Sequence, residues 1–394
     1  MNKKPPYYIT SALPHLNLKD QKILLRADLN VPLKNGIILN DFRLKAIQPT
    51  LNLLLKKEAH ILLVTHIGQP EKRDQNLSTK HLLLWFKEHN YTISFAATLA
   101  DAKKLLDKNN SIVLLENIRF WSEEKNNDIT FATELKNLTD FYVMDAFGVA
   151  HRDDMSVSLL PTLYKPEKRT IGLLVEKELS ELNSLLISPQ QPFLLMFGGA
   201  KLKTKLPLIN HLLDKIDACA LLPALSYTFQ KALGFSLGNS LIEENFISEA
   251  QKTLKEAQTH NKKILLPSDY LVGSDWNKDL HYCAADQIKA HEMGLSIGPK
   301  TVKKYLPFMI NAQTIFINGL PGDLKYPDTL KETKNLFDIF CKTSGKKIAA
   351  GGDTVAAIQE FKLDHCFDFL STGGGATLTY LSGLELPGLL PFIS

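Results

Sequence analysis

Residues 22–32 read KILLRADLNVP. A short β-forming run passes without a break into Arg26, Asp28 and Asn30, and Pro32 then removes a ladder donor. The same pattern recurs down the first half. HILLVT (60–65) runs into His66, Gly68, Gln69 and Pro70; SIVLL (111–115) runs into Glu116 and Arg119; FYVM (141–144) runs into Asp145, His151 and Arg152. Helix-like segments lie between them, over residues 43–57 and 79–89 for example. Strand, helix, strand in this order argues for a mostly parallel sheet covered on both faces.

The second half repeats the style with PFLLMF, ACALL, KILLP, TIFIN, KKIAA and FDFL, most of them followed by a helical pattern such as 299–311 or 329–342. The texture changes at PEKR, near residues 165–170. IGLLVEKELSELNSLL (171–186) then reads as one helical segment, closed by SPQQP. The expectation is an α/β protein of two halves joined by a helix. No repeat relates the halves and no low-complexity tract interrupts them.

Composition narrows the class. The chain has 394 residues, 44% hydrophobic and 22% charged, which excludes collagen-like, disordered and coiled-coil readings. Its 46 basic and 42 acidic residues leave a net charge of +4, too balanced for a dedicated nucleic-acid binder. The four cysteines form no CxxC, and the nearest two are 25 positions apart, so no metal or redox motif is expected. They read as reduced, buried small hydrophobes of a cytoplasmic protein. No signal peptide and no membrane-spanning stretch is expected either.

Position carries the functional signal. Ligands of an open parallel sheet bind beyond the carboxyl ends of its strands, and the unusual residues sit there. In the first half, Arg43, Arg119, Arg152 and His66 can converge, with Asp28 and Asn30 beside them. Guanidinium forks suit a small phosphate or carboxylate ligand. In the second half, Gly198-Gly199-Ala200-Lys201 leads into a helix, with Lys205 four positions on and expected on the same face. Backbone N–H groups and the helix dipole would face an anion there. Gly351-Gly352-Asp353-Thr354 opens another helix, and Asp353 suits Mg²⁺. A third glycine turn follows Ser371. Together these turns point to a nucleotide phosphate site, while helix capping and tight turns are the structural alternative. No GxGxxG and no HExxH is present.

These motifs, in this order, resemble phosphoglycerate kinase. The strings LLRADLNVPL, LLVTHIGQP, LLENIRFWSEEKNND, VMDAFGVAHR, GGAKLKTK, AAGGDTVAAI and STGGGATLTYLSGLELPG carry the likeness over nearly the whole chain. The resemblance implies two Rossmann-like parallel-sheet domains facing a cleft. The first, residues 1–170, would bind 3-phosphoglycerate; 171–188 would be the interdomain helix; 189–380 would bind nucleotide; 381–394 would return to the first domain. It implies reversible phosphoryl transfer between 1,3-bisphosphoglycerate and Mg·ADP, by a glycolytic monomer whose partners are its small-molecule substrates. Carried over residue by residue, the substrate side is Asp28, Asn30, Arg43, His66, Arg119 and Arg152, with Gln69 beside them. The nucleotide side is Lys201, Lys205, Gly294, Asn318, Gly351, Gly352, Asp353 and Thr354. Arg43, Lys201 and the N–H groups near Gly352 would stabilise the moving phosphoryl group. A carboxylate nucleophile is already ionised at neutral pH, so no general base is needed.

Three departures bear on substrate binding. Gln69 stands where the family pattern HxGRP has Arg, which predicts weaker 3-phosphoglycerate binding. Leu221-Leu222-Pro223-Ala224-Leu225-Ser226 precedes Tyr227-Thr228-Phe229, where the family usually has a glycine triplet against the adenine. Lys325 stands where the family has Glu for the ribose hydroxyls, and a Lys donates to a hydroxyl but does not accept from it; Asp323 is the nearby substitute. Two readings follow: an active kinase with an atypical adenine and ribose pocket, or a kinase-like protein that binds an anion or a partner and turns over little.

Overall fold

The apolar runs become strands buried on both faces, as a sheet sandwiched between helices requires. A computed structural model describes residues 4–108 and 111–393. The chain divides into two units, Met1–Asn183 with Leu384–Ser394, and Ser184–Gly383.

Unit 1 contains strands β1 (Lys22–Ala27), β2 (Leu33–Lys34), β3 (Ile37–Ile38), β4 (His60–Val64), β5 (Ile93–Ala96), β6 (Ile112–Leu115), β7 (Phe141–Asp145) and β8 (Arg169–Ile171). Its helices are α1 (Phe42–Lys56), α2 (Leu83–Glu88), α3 (Leu99–Leu106), α4 (Ile129–Lys136) and the start of α5 (Leu173–Ile187), which runs on into unit 2. Six strands form one sheet in the order β5-β6-β4-β1-β7-β8, every pair parallel. The chain leaves β1 towards β4 on one side and later fills β7 on the other, so the order reverses at β1. Leu386 donates its N–H to the Tyr7 hydroxyl at 3.1 Å and Gly388 donates to the Ala150 carbonyl at 2.9 Å, which ties the last residues to this unit.

Unit 2 contains β9 (Phe193–Gly199), β10 (Ala218–Ala224), β11 (Lys263–Leu265), β12 (Asp269–Gly273), β13 (His281–Ala284), β14 (Met293–Ile297), β15 (Thr314–Asn318), β16 (Lys346–Ala350) and β17 (Phe369–Leu370). Its helices are α6 (Leu202–Leu212), α7 (Leu225–Ala232), α8 (Ile247–Thr259), α9 (Pro299–Asn311), α10 (Lys331–Phe340), α11 (Gly352–Glu360) and α12 (Gly375–Leu381). The parallel sheet is ordered β11-β10-β9-β15-β16-β17, with the reversal at β9. A separate antiparallel sheet, β13-β12-β14, was not expected from the sequence. β12 carries the short apolar run Tyr270–Val272, but β13 (HYCA) and β14 (MGLSI) are short and mixed, broken by His281, Gly294 and Ser296. Each unit has its own apolar core, around Leu25, Ile61 and Val143 in the first and Met196, Ile317 and Phe337 in the second.

Three local expectations need correction. The segment predicted as one helix from 171 starts with strand residues; Ile171 closes β8 and α5 begins after Gly172. The segment 79–89 is a 3₁₀ turn, Thr79–Leu82, followed by α2. The cysteines are not all unpaired: Cys341 and Cys366 form a disulfide with Cα atoms 4.6 Å apart, while Cys219 and Cys283 are free thiols. Cys341 follows α10 and Cys366 precedes β17. An aromatic cluster brings the two ends together, Phe337 and Phe340 each meeting Phe367 edge-on at 5.8 Å. Among the described residues no helix is long and apolar enough to cross a membrane.

Candidate functional site

Because β1, β4, β6 and β7 are parallel neighbours, the loops after them share one edge of the unit 1 sheet. Side chains stitch these loops together. Asn30 accepts the Gly68 N–H at 2.8 Å, and Arg119 donates to the Gly68 carbonyl at 2.7 Å, so the peptide at Gly68 is held from both sides. Leu29 donates its N–H to Thr65 at 2.9 Å, and the second fork of Arg119 reaches Asp154 at 3.3 Å. Arg43, in the first turn of α1, pairs with Asp28. Burial works against an ionised Asp28, but Arg43 foremost, with the Asn30 N–H, holds its carboxyl below the usual range. Burial keeps the His66 imidazole well below its usual pKa against the pull of Asp28, so it is neutral at pH 7. Burial also lowers Arg119 and His151, and in both cases Arg152 presses the same way. Asp28, Asn30, Arg43, His66, Arg119 and Arg152 therefore occupy one electrostatic neighbourhood. Gln69 sits at its exposed rim. Arg73 lies over the Phe120 ring and 4.0 Å from Glu116.

Sequence reasoning missed the support behind this cluster. Arg26, fully buried, donates to Ser156 at 2.7 Å and to the Ala27 carbonyl, while Ser156 donates its N–H and hydroxyl to Glu124 at 2.8 and 2.6 Å. The network joins β1 to the segment just after Arg152 and Asp154. Its signal was present in KILLRA, where an arginine interrupts an otherwise apolar strand.

In unit 2 the ends of β9, β15, β16 and β17 lie side by side. Asn318, the last residue of β15, donates to the Ala350 carbonyl at 2.8 Å, and Thr354 accepts the Gly319 N–H at 2.8 Å. Both side chains thus brace neighbouring strand ends. Gly351 has φ +101°, and a Cβ there would meet the Asn318 amide at 2.7 Å, so glycine is required. The next residues open α11 with the N–H groups of Gly352, Asp353 and Thr354 unaccepted among the described residues. Space around Gly352 is open and the Asp353 side chain is exposed.

The turn after β9 differs from expectation. Lys201 is not helical; it is the N-cap of α6 in the left-handed region, φ 75° and ψ 64°. It therefore does not share a helix face with Lys205. The α6 terminus is also not left for an anion, because Glu243 accepts the N–H groups of Lys201 and Leu202 at 2.8 and 2.9 Å. The Lys205 ammonium donates to the Gly198 and Ala200 carbonyls. Burial lowers its pKa to about 8, Glu243 and Asp353 raising it and Lys201 lowering it further. Lys205 thus feels both Lys201 and Asp353, although β15 separates the strands that precede them. Gly294 lies elsewhere, in β14; a side chain there would collide with the Tyr227 hydroxyl.

The residues in place of the glycine triplet are packed. Leu222 and Leu225 are fully buried, and a Cβ at Gly198 would lie 2.9 Å from both the Leu222 Cβ and the Pro223 carbonyl oxygen. One oxygen of Asp323 accepts the Lys325 N–H at 2.9 Å. Lys325 is exposed.

A family model described as phosphoglycerate kinase matches residues 13–384. The chain belongs to the phosphoglycerate kinase family. It is 36% identical over 386 residues to the phosphoglycerate kinase of Aquifex aeolicus, covering 96% of this chain and 97% of the relative. It is 35% identical over 384 residues to that of Clostridium tetani, covering 95% of each. Among solved structures, phosphoglycerate kinase from Coxiella burnetii superimposes with a TM-score of 0.82 at 31% identity, covering 96% of this chain and 97% of that one. The enzyme from Pyrococcus horikoshii gives 0.86 at 26% identity, covering 96% and 98%. Phosphoglycerate kinases are phosphotransferases that use ATP or ADP with a small-molecule substrate, and this chain is an enzyme of that class.

Proposed function

We propose that this phosphoglycerate kinase carries out reversible transfer between 1,3-bisphosphoglycerate and Mg·ADP, forming 3-phosphoglycerate and ATP, with weakened selection for the base and ribose. The Arg43, Arg119 and Arg152 cluster of residues 1–170 binds the acidic substrate; His66 stays neutral and hydrogen-bonds without adding charge. In residues 189–380, Lys201, Lys205 and the open amides at Gly352–Thr354 take the nucleotide phosphates. Arg43 and Lys201 place positive charge on the phosphoryl group in transit. The attacking carboxylate is ionised at pH 7, so positioning and charge supply the catalysis and no side chain moves a proton. The observation that carries this reading is the run of N–H groups at Gly352, Asp353 and Thr354, unaccepted among the described residues, beside open space and the exposed Asp353 carboxylate.

Asp353 fits a magnesium ion. Its carboxylate is exposed, has no partner among the described residues and sits beside open space at Gly352. Bound Mg²⁺ would neutralise phosphate oxygens there. The weakened base selection rests on buried Leu222 and Leu225 and on exposed Lys325 in the place of a carboxylate.

A coupled assay with 3-phosphoglycerate and ATP, GTP or polyphosphate tests the proposal. Turnover is expected with both nucleotides, with their KM values closer together than an intact adenine pocket would give. No turnover with any donor at millimolar concentration would leave the binding-protein reading standing.

A further inference from the structure

The carboxylate of Glu243 lies where a phosphate would be expected, at the first amides of α6. One oxygen accepts two consecutive N–H groups, from Lys201 at 2.8 Å and from Leu202 at 2.9 Å. Such a pair of amides is an anion seat, and the protein has filled it with its own charge. The same residue is anchored on its other side: the Glu243 N–H donates to the Thr228 hydroxyl at 3.0 Å, and Thr228 is a buried residue of α7. α7 is therefore linked through Glu243 to the turn that carries Lys201.

That turn needs an external hold. Lys201 is a non-glycine residue in the left-handed region, a conformation that costs roughly 1–2 kcal/mol. α6 has no side-chain cap of its own at this position. Two charge-assisted hydrogen bonds onto the strained residue and its successor offset that cost. They also fix the direction in which the Lys201 side chain leaves the backbone, and that side chain is exposed and without a partner among the described residues.

We propose that Glu243 is a positioning residue for phosphoryl transfer, holding the 198–202 turn so that the Lys201 ammonium, rather than the amides of α6, meets the phosphoryl group. This rests on the role given to Lys201 above. It also assigns Thr228 a part: its hydroxyl sets the height of Glu243 against α6. The helix terminus that receives phosphate is then that of α11 alone of the two.

Kinetics of Glu243→Ala, Glu243→Gln, Thr228→Val and Lys201→Ala, with folding checked by circular dichroism, test this. Glu243→Ala should lower kcat by about tenfold or more, since a misplaced catalytic group is costly, and should leave the KM for 3-phosphoglycerate unchanged. Glu243→Gln keeps an acceptor oxygen in the same place and should recover most of kcat. Thr228→Val should lower kcat in the same sense by a smaller factor. In a Lys201→Ala background, Glu243→Ala should have almost no further effect, because its influence runs through Lys201. A folded Glu243→Ala enzyme with undiminished kcat refutes the inference, as does a loss that persists in full without Lys201. Should Glu243→Ala fail to fold, an undiminished kcat in Thr228→Val, or no recovery in Glu243→Gln, refutes it equally. A fully active Lys201→Ala enzyme would instead overturn the role of Lys201 itself.

Discussion

Lys205 shows what burial does to a single side chain. Its ammonium donates to two carbonyls, yet desolvation brings its pKa down to about 8, against 10.5 for a solvated lysine. The sign for activity follows. Below about 8 the group is charged and can meet phosphate oxygens; above it the charge is lost. We expect kcat/KM for the nucleotide, which reports the free enzyme, to fall as pH rises through about 8. Lys205→Arg, charged at every accessible pH, should move that limb upward. A flat profile to pH 9.5 in the wild type would remove Lys205 from the binding site. Neighbouring Lys201 illustrates a reading that failed at this scale. Spacing of four suggested a shared helix face, but one left-handed residue at the helix start redirects the side chain, and nothing in GGAK announces which residue will adopt that conformation.

Elements were legible where their signal was local. Apolar runs of four to seven residues became the parallel strands, and segments of helical period became α1, α9 and α10. The short, mixed strands β13 and β14 carried no such signal. The start of α5 shows how an element can depend on a distant residue. Asp145, at the end of β7, accepts the Val175 N–H at 3.0 Å, and Thr50 accepts the Leu173 N–H at 3.1 Å. A side chain at residue 172 would strike the Asp145 carboxyl, so Gly172 is required for this approach. Full burial raises the Asp145 pKa to about 7. Between pH 4 and 7 the folded protein then binds more protons at this group than the unfolded chain does. Stability from this residue is present at low pH and is lost as pH rises towards 7, by up to about 4 kcal/mol at ~1.4 kcal/mol per unit. Asp145→Asn keeps an acceptor for the α5 amide and cannot ionise. Urea unfolding at pH 5 and pH 8 should therefore show the wild type losing stability relative to Asp145→Asn; parallel behaviour of the two would contradict the assigned ionisation.

At the scale of the molecule, the Cys341–Cys366 pair closes a loop 25 residues long around α10's end, β16, α11 and the entry to β17. A cross-link of that length restricts the unfolded chain by about 3–4 kcal/mol. Reduction should lower the unfolding midpoint of unit 2 by several degrees, read by calorimetry with and without a thiol reductant. Cys341→Ser should melt at the reduced value and ignore the reductant. A wild type that ignores it too would show that the pair contributes nothing to stability. β17 pairs with β16 through only two positions, Phe369 and Leu370, so the cross-link supplements a short ladder.

What the amino-acid order alone determined was everything carried by neighbours in sequence: the parallel strands, the charged residues at their ends, and the glycine turns that open helices. These follow from the pleat, from helical period and from the φ values that glycine permits, all of which act over a few residues. The fold alone decided which of those charges remain available. Glu243 reaches Lys201 across 42 positions and Asp145 reaches Val175 across 30. The cysteines meet across 25. Such pairings depend on how sheets and helices stack. A carboxylate that lands on a helix terminus by that stacking takes the place of the anion that local sequence, read by itself, assigns there.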